Sequence, residues 1–144
     1  MAPRMVRAST VVITGATSGI GRETAKEFAR ARARVVVAGR REERLRELAT
    51  EIEAKGGEVL AVRTDVSDRS QVERLIEHAV TRFGRIDALV NNAGVGIAAR
   101  FEEQSLEDFR RVMEVNLFGV VHGTMAAYAV MRQQGFGHIV NLSS

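Results

Sequence analysis

Hydrophobic positions along the chain follow two rhythms, and the rhythms take turns. Short β-branched or Val-rich runs at Val11–Thr14, Arg34–Ala38, Glu58–Arg63, Ile86–Val90 and His138–Leu142 predict five strands. Between them, apolar residues recur at helical spacing. Gly19–Arg32 predicts a helix with Ile20, Ala25, Phe28 and Ala29 on its apolar side. Arg41–Lys55 predicts a second, with Leu45, Leu48 and Ile52 inward and Gly56-Gly57 as its stop. Asp68–Phe83 predicts a third, capped by Ser67 or Asp68 and ended by Gly84. Ser105-Leu106-Glu107-Asp108 reads as a capping box opening a long, buried helix to about Gln133.

Strict β/α alternation predicts right-handed βαβ units and one parallel sheet covered on both faces. The strands are continuous apolar runs rather than in-out alternations, as doubly buried strands require. The fold class is therefore α/β, a doubly wound parallel sheet of the Rossmann type. One domain accounts for the 144 residues. Repeats, linkers and low-complexity tracts are not evident.

Charge and composition narrow the function. Lys plus Arg total 21 against 18 Asp plus Glu, a net charge of +3. Most arginines are interleaved with glutamates, as in Arg40-Arg41-Glu42-Glu43-Arg44-Leu45-Arg46-Glu47, which reads as a solvated helix face rather than a nucleic-acid surface. The chain has no cysteine, which excludes disulfides, thiolate metal sites and Cys nucleophiles, and fits a reducing, cytoplasmic setting. His78, His122 and His138 are scattered over separate elements and give no metal spacing. The run from Val115 to Met131 lacks formal charge but holds Asn116, Gly119, His122, Gly123 and Thr124, so it reads as a buried helix and not a membrane span. Arg4 and Arg7 precede an apolar run too short for a signal peptide.

The chemistry concentrates at strand ends. Thr14-Gly15-Ala16-Thr17-Ser18-Gly19-Ile20-Gly21 joins the first strand to the first helix. Glycines at such a junction permit a tight turn and close approach of backbone to a pyrophosphate, and the helix start supplies N–H donors and a dipole for an anion. An ordinary glycine turn is the plainer alternative. The second strand ends Ala38-Gly39-Arg40-Arg41, without the carboxylate that dinucleotide folds use for a ribose 2′-hydroxyl. Guanidinium suits phosphate, so Arg40 reads as a 2′-phosphate clamp, with Arg41 a second candidate, and the cofactor as NADP(H) rather than NAD(H). The alternative is that Arg40 merely opens a charged helix face.

The G-x-x-x-G-x-G spacing resembles the signature of the short-chain dehydrogenase/reductase family. Asn91-Asn92-Ala93-Gly94 after the fourth strand, Asp65-Val66 after the third, Val115-Asn116 in the long helix and Asn141-Leu142-Ser143-Ser144 after the fifth strengthen the resemblance. It implies strand order 3-2-1-4-5, with the carboxyl-terminal strands of a complete member lacking. It implies that Thr14, Gly15, Thr17, Ser18, Gly19, Ile20 and Gly21 hold the phosphates. Asp65 would meet the adenine amino group with Val66 nearby, although Asp65 could simply cap the next helix. Asn92, Ala93 and Gly94 would line the nicotinamide-ribose side, and Asn91 would either join them or hold neighbouring strands together. Asn116 would bend the long helix and hold a relay water through its carbonyl, or be a satisfied core amide.

Ser144 matches the family's catalytic serine, which hydrogen-bonds the substrate oxygen. The family's Tyr-x-x-x-Lys pair follows that serine, and here nothing follows it. Tyr128 with Arg132 is not that pair: it precedes the serine motif, lies on the long helix, and arginine cannot be tuned as lysine can. Tyr128 is expected to pack. The implied activity is reversible hydride transfer between NADP(H) and a small carbonyl or alcohol. The alternative is a cofactor-binding module without turnover, the chain being a truncated portion of a longer enzyme. A homo-oligomer is expected, with an apolar fifth strand left as an exposed edge. Substrate identity is not encoded here.

Overall fold

The structure, a computed structural model, describes residues 6–143. Five strands alternate with helices: β1 (Thr10–Thr14), α1 (Gly19–Arg30), β2 (Arg34–Gly39), α2 (Glu42–Glu53), β3 (Glu58–Arg63), α3 (Arg69–Phe83) and β4 (Ala88–Asn91). A short 3₁₀ turn (Phe101–Glu103) then leads to α4 (Leu106–Met113), a π-helical turn (Glu114–Phe118), α5 (Gly119–Gln134) and β5 (His138–Asn141). All strands are parallel, in the order β3-β2-β1-β4-β5. Ser144 lies outside the described residues.

The period-2 geometry of a strand divides β1 and β2 between two cores. Val11, Ile13, Val35 and Val37 point to one side, where Ala25 and Ala29 of α1 and Leu45, Leu48 and Ile52 of α2 cover them. Val12 and Val36 point to the other, against Leu75, Ile76, Ala79 and Phe83 of α3 and Ala127 and Met131 of α5. Both central strands are buried on both faces, which is why they carry no polar alternation.

Local signals end the helices as expected. Asp68 accepts from the N–H groups of Ser70 and Gln71 to cap α3, and Gly84 takes the left-handed conformation (φ 78°) after it. Ser105 and Asp108 form the reciprocal capping box of α4. The Arg/Glu alternation is a solvated face: Arg44 pairs with Glu47 and Arg46 with Glu42 along α2.

Four expectations need correction. The long helix is not continuous: a π turn separates α4 from α5, with the Gly119 N–H donating to the carbonyl of Glu114, five residues back. Nor is it buried throughout. None of the residues of α4 is buried, and α5 buries only Gly119, Gly123, Ala127 and Met131. Tyr128, expected to pack, is exposed on the uncovered side. On α1, Ile20 is likewise exposed, because its side of the helix start borders the cleft rather than the sheet.

Candidate functional site

At the carboxyl ends of β1, β2, β3 and β4 lies an open cleft of about 490 Å³. This is where a doubly wound sheet reverses its strand order and where such sheets bind ligands. The cleft is lined on one side by Gly15, Thr17, Ser18 and Ile20, at one end by Gly39, Arg40 and Arg41, and opposite by Thr64, Asp65 and Val66. Asn92, Ala93, Gly94 and Val95 after β4, with Val115 of the π turn, complete the wall.

The β1–α1 loop and the loop after β4 are locked together. Thr14 Oγ1 accepts from the N–H groups of Asn92 and Ala93, both at 3.1 Å. Asn92 Nδ2 donates to the carbonyls of Thr14 (3.0 Å) and Gly15 (3.2 Å). This contact explains the glycines. Gly15 adopts φ 67°, and a Cβ there would stand 2.7 Å from Ala93 Cα. A Cβ on Gly21 would run into Asn92 Nδ2 and the Gly15 carbonyl. Thr14, Gly19, Gly21 and Asn91 are thus not lining residues themselves; Thr14, Gly21 and Asn91 are buried supports behind the cleft.

Ser18 caps the start of α1 without a side-chain capping bond, leaving the first-turn N–H donors to a ligand. Its hydroxyl instead accepts from Arg41 Nη2 at 2.8 Å, and the same nitrogen donates to Thr17 Oγ1 at 2.8 Å. Arg41 therefore braces the loop, whereas the neighbouring Arg40 is exposed at the cleft edge. A Cβ on Gly39 would lie 2.6 Å from Thr17 Cγ2, so the end of β2 has no room for a larger side chain without moving that threonine.

On the opposite wall, Asp65 Oδ1 accepts from the Ser67 N–H (3.0 Å) and hydroxyl (2.7 Å), forming a local turn. Asp65 is thus both lining residue and turn residue. Asn91 donates to Asn141 Oδ1 (2.9 Å) and to Thr124 Oγ1 (3.3 Å), tying β4 to β5 and α5. Of its two expected roles, the strand-holding one is the one with visible contacts.

Asn116 was expected in a buried helix. It is exposed, in the π turn, and its amide nevertheless pairs on both sides: Nδ2 donates to the Val95 carbonyl (2.9 Å) and Oδ1 accepts from the Val95 N–H (2.8 Å). Thr64 and Gly39 line the cleft but carried no motif in the sequence. Their only signal is position, each at or just past the end of a strand.

Residues 9–144 match the family described as short chain dehydrogenase. The chain belongs to the short-chain dehydrogenase family. It is 45% identical over 144 residues to the probable oxidoreductase EphD of Mycobacterium tuberculosis, covering 99% of this chain and 24% of that protein. It is 39% identical to the uncharacterized oxidoreductase YxnA of Bacillus subtilis, covering 98% of this chain and 40% of that one. A crystal structure of a short chain dehydrogenase/reductase from Burkholderia phymatum in complex with NAD superposes with a TM-score of 0.92 at 38% identity, covering 96% of this chain and 50% of that chain. The chain thus spans 24% and 40% of the length of these two curated relatives. The strand order is the one that the motifs imply.

Proposed function

We propose that this chain forms the cofactor-binding part of an oxidoreductase that moves hydride reversibly between NADP(H) and a small carbonyl or alcohol substrate. The cleft fits a dinucleotide. Its glycines allow backbone approach, and its helix start offers N–H donors. When bound, the nicotinamide supplies or takes the hydride.

The chain's own residues bind and orient. The β1–α1 loop holds the pyrophosphate, Asp65 and Val66 border the adenine, and Asn92, Ala93 and Gly94 border the nicotinamide ribose. Asn116 fixes the loop after β4 through its side chain, and its main-chain carbonyl would hold a relay water. Ser144 donates to the substrate oxygen and favours its oxyanion character. A Tyr and a Lys supplied by the rest of the protein would transfer the proton.

The observation that carries the cofactor choice is Arg40, exposed at the cleft edge beside Gly39, where an NAD-selective site would place a carboxylate. The Burkholderia relative is described with NAD, so the choice is testable against it. Titrating the full-length protein with NADPH and NADH should show tighter NADPH binding, and Arg40→Ala should lower the NADPH affinity while leaving NADH nearly unchanged. Equal or tighter binding of NADH to the wild type would refute NADP selectivity. The protein acts as a homo-oligomer through the uncovered apolar side of α4 and α5.

A further inference from the structure

His122 is not a lining residue, yet it grips one wall of the cleft. Its Nδ1 lies 2.9 Å from the carbonyl oxygen of Val66. A carbonyl can only accept, so the imidazole carries a proton on Nδ1 and donates. One turn earlier on the same face of α5, Gly119 meets the same residue: a Cβ there would stand 2.6 Å from Val66 Cγ2. Val66 is buried and packs in one apolar cluster with Val72 and Val115. The segment after β3 is thus held against α5 at two points, sterically through Gly119 and by a hydrogen bond through His122.

The neighbours of Val66 in that segment are held by other means. The Thr64 N–H donates to the Gly39 carbonyl, the Asp65 N–H to Gln71 Oε1, and the Ser67 N–H to Asp65 Oδ1. Among the described residues, the contact recorded for the Val66 carbonyl is His122. Releasing it frees the middle of the wall while both of its flanks stay anchored.

We propose that His122 is a positioning residue for the adenosine end of the cleft, setting the Asp65-Val66 wall through its hydrogen bond to the Val66 carbonyl. This rests on the reading of the cleft as a dinucleotide site. A donor lost from a partly buried carbonyl is felt most where the Asp65-Val66 wall itself meets ligand.

The test compares three probes on the full-length protein by calorimetric titration: NADPH, 2′,5′-ADP for the adenosine half, and reduced nicotinamide mononucleotide for the other half. His122→Leu is expected to weaken NADPH and 2′,5′-ADP about tenfold each, the scale of one unmade hydrogen bond, with the mononucleotide unchanged. His122→Asn places an amide N–H near the position of Nδ1 and should restore both affinities. His122→Asp has the same size but no donor and should resemble leucine, so the Asn/Asp pair decides if the leucine variant fails to fold. Unchanged 2′,5′-ADP affinity in the donor-less variants, equal weakening of the mononucleotide, or failure of asparagine to restore would each overturn the role of His122. A wild type that binds NADH but not NADPH moves the same comparison to NADH and 5′-AMP, whereas one that binds neither NADPH nor NADH would overturn the dinucleotide reading, and this inference with it.

Discussion

The side-chain amide of Asn116 pairs with both backbone groups of Val95, mimicking a strand bridge between the π turn and the loop after β4. The two residues are 21 apart in sequence, so the pair closes a loop that includes the 3₁₀ turn and all of α4. Because the pair is exposed, its loss lets water replace it, and the net cost to global stability should be no more than about 1 kcal/mol. The local effect is larger. Asn116→Ala should accelerate amide exchange at Val95 and its neighbours in hydrogen-exchange mass spectrometry while β1 and β2 stay protected. Unchanged protection of residues 93–97 would show that the bridge does not hold the loop.

Thr14 is the reverse case. It is 2% exposed, and its hydroxyl accepts from two N–H groups at once. Thr14→Val keeps the shape and removes the acceptor, leaving the Asn92 and Ala93 N–H groups without it in a partly buried place. The expected loss is about 2–4 kcal/mol, against less than about 1 kcal/mol for Thr14→Ser, which keeps the hydroxyl. Denaturant unfolding of the two variants checks this. A valine variant as stable as the serine one would mean that the loop after β4 finds other partners.

What the sequence made legible, and what it hid, follows from the range of the interactions. Asp68, Gly84 and the Ser105/Asp108 pair act within one helical turn, so their roles could be read directly from spacing. The strand order followed from motifs that sit at strand ends. The resemblance placed a bend at Asn116, within the π turn, but the π form could not be read, because its visible support is a contact between Asn116 and a loop far away in sequence, and no proline or glycine marks its start. Arg41 was legible as a cation near the cofactor but not as the brace on Thr17 and Ser18, since a flexible side chain's target is not encoded in its position. The exposure of α4 and of one side of α5 was illegible for another reason: an apolar residue looks the same whether its cover comes from its own fold or from another surface. The placement of Ser144 lies outside the described residues, so the serine motif is legible as a motif alone.

Asp68 gives a pH prediction with a defined sign. Hydrogen bonds from the Ser70 hydroxyl, then from the Gln71 side-chain amide and the two backbone N–H groups, hold its carboxyl down from 3.8 to about 2. The folded state therefore prefers the carboxylate, and the stabilisation is present above the ordinary carboxylate range. It is lost as pH falls from 3.8 through about 2. Asp68→Asn keeps an acceptor for the cap but cannot titrate. The stability gap between wild type and variant should be constant near neutral pH and close across that acid window. A gap that persists at pH 1.5 would assign the cap's advantage to shape rather than charge.

The uncovered side of α4, the π turn and α5 carries Leu106, Phe109, Met113, Leu117, Val121, Met125 and Tyr128, each at least 38% exposed. They recur three or four residues apart, so they form one apolar stripe along the helical run, and α5 turns its small residues Gly119, Gly123 and Ala127 to the sheet instead. A stripe of this kind marks an interaction surface. β5 is an edge strand of the sheet and adds to the uncovered area, with Val140 and the following Leu142 exposed. A polypeptide of these 144 residues should therefore self-associate, visible as a mass above 15.8 kDa in light scattering. Because a helix stripe pairs face to face with its copy around a twofold axis, one charge near its centre is counted twice in the assembly. Val121→Glu should shift the protein toward monomer, whereas Glu107→Gln on α4 should not. If the glutamate variant associates as the wild type does, the stripe is not the contact, and the β5 edge becomes the surface to substitute next.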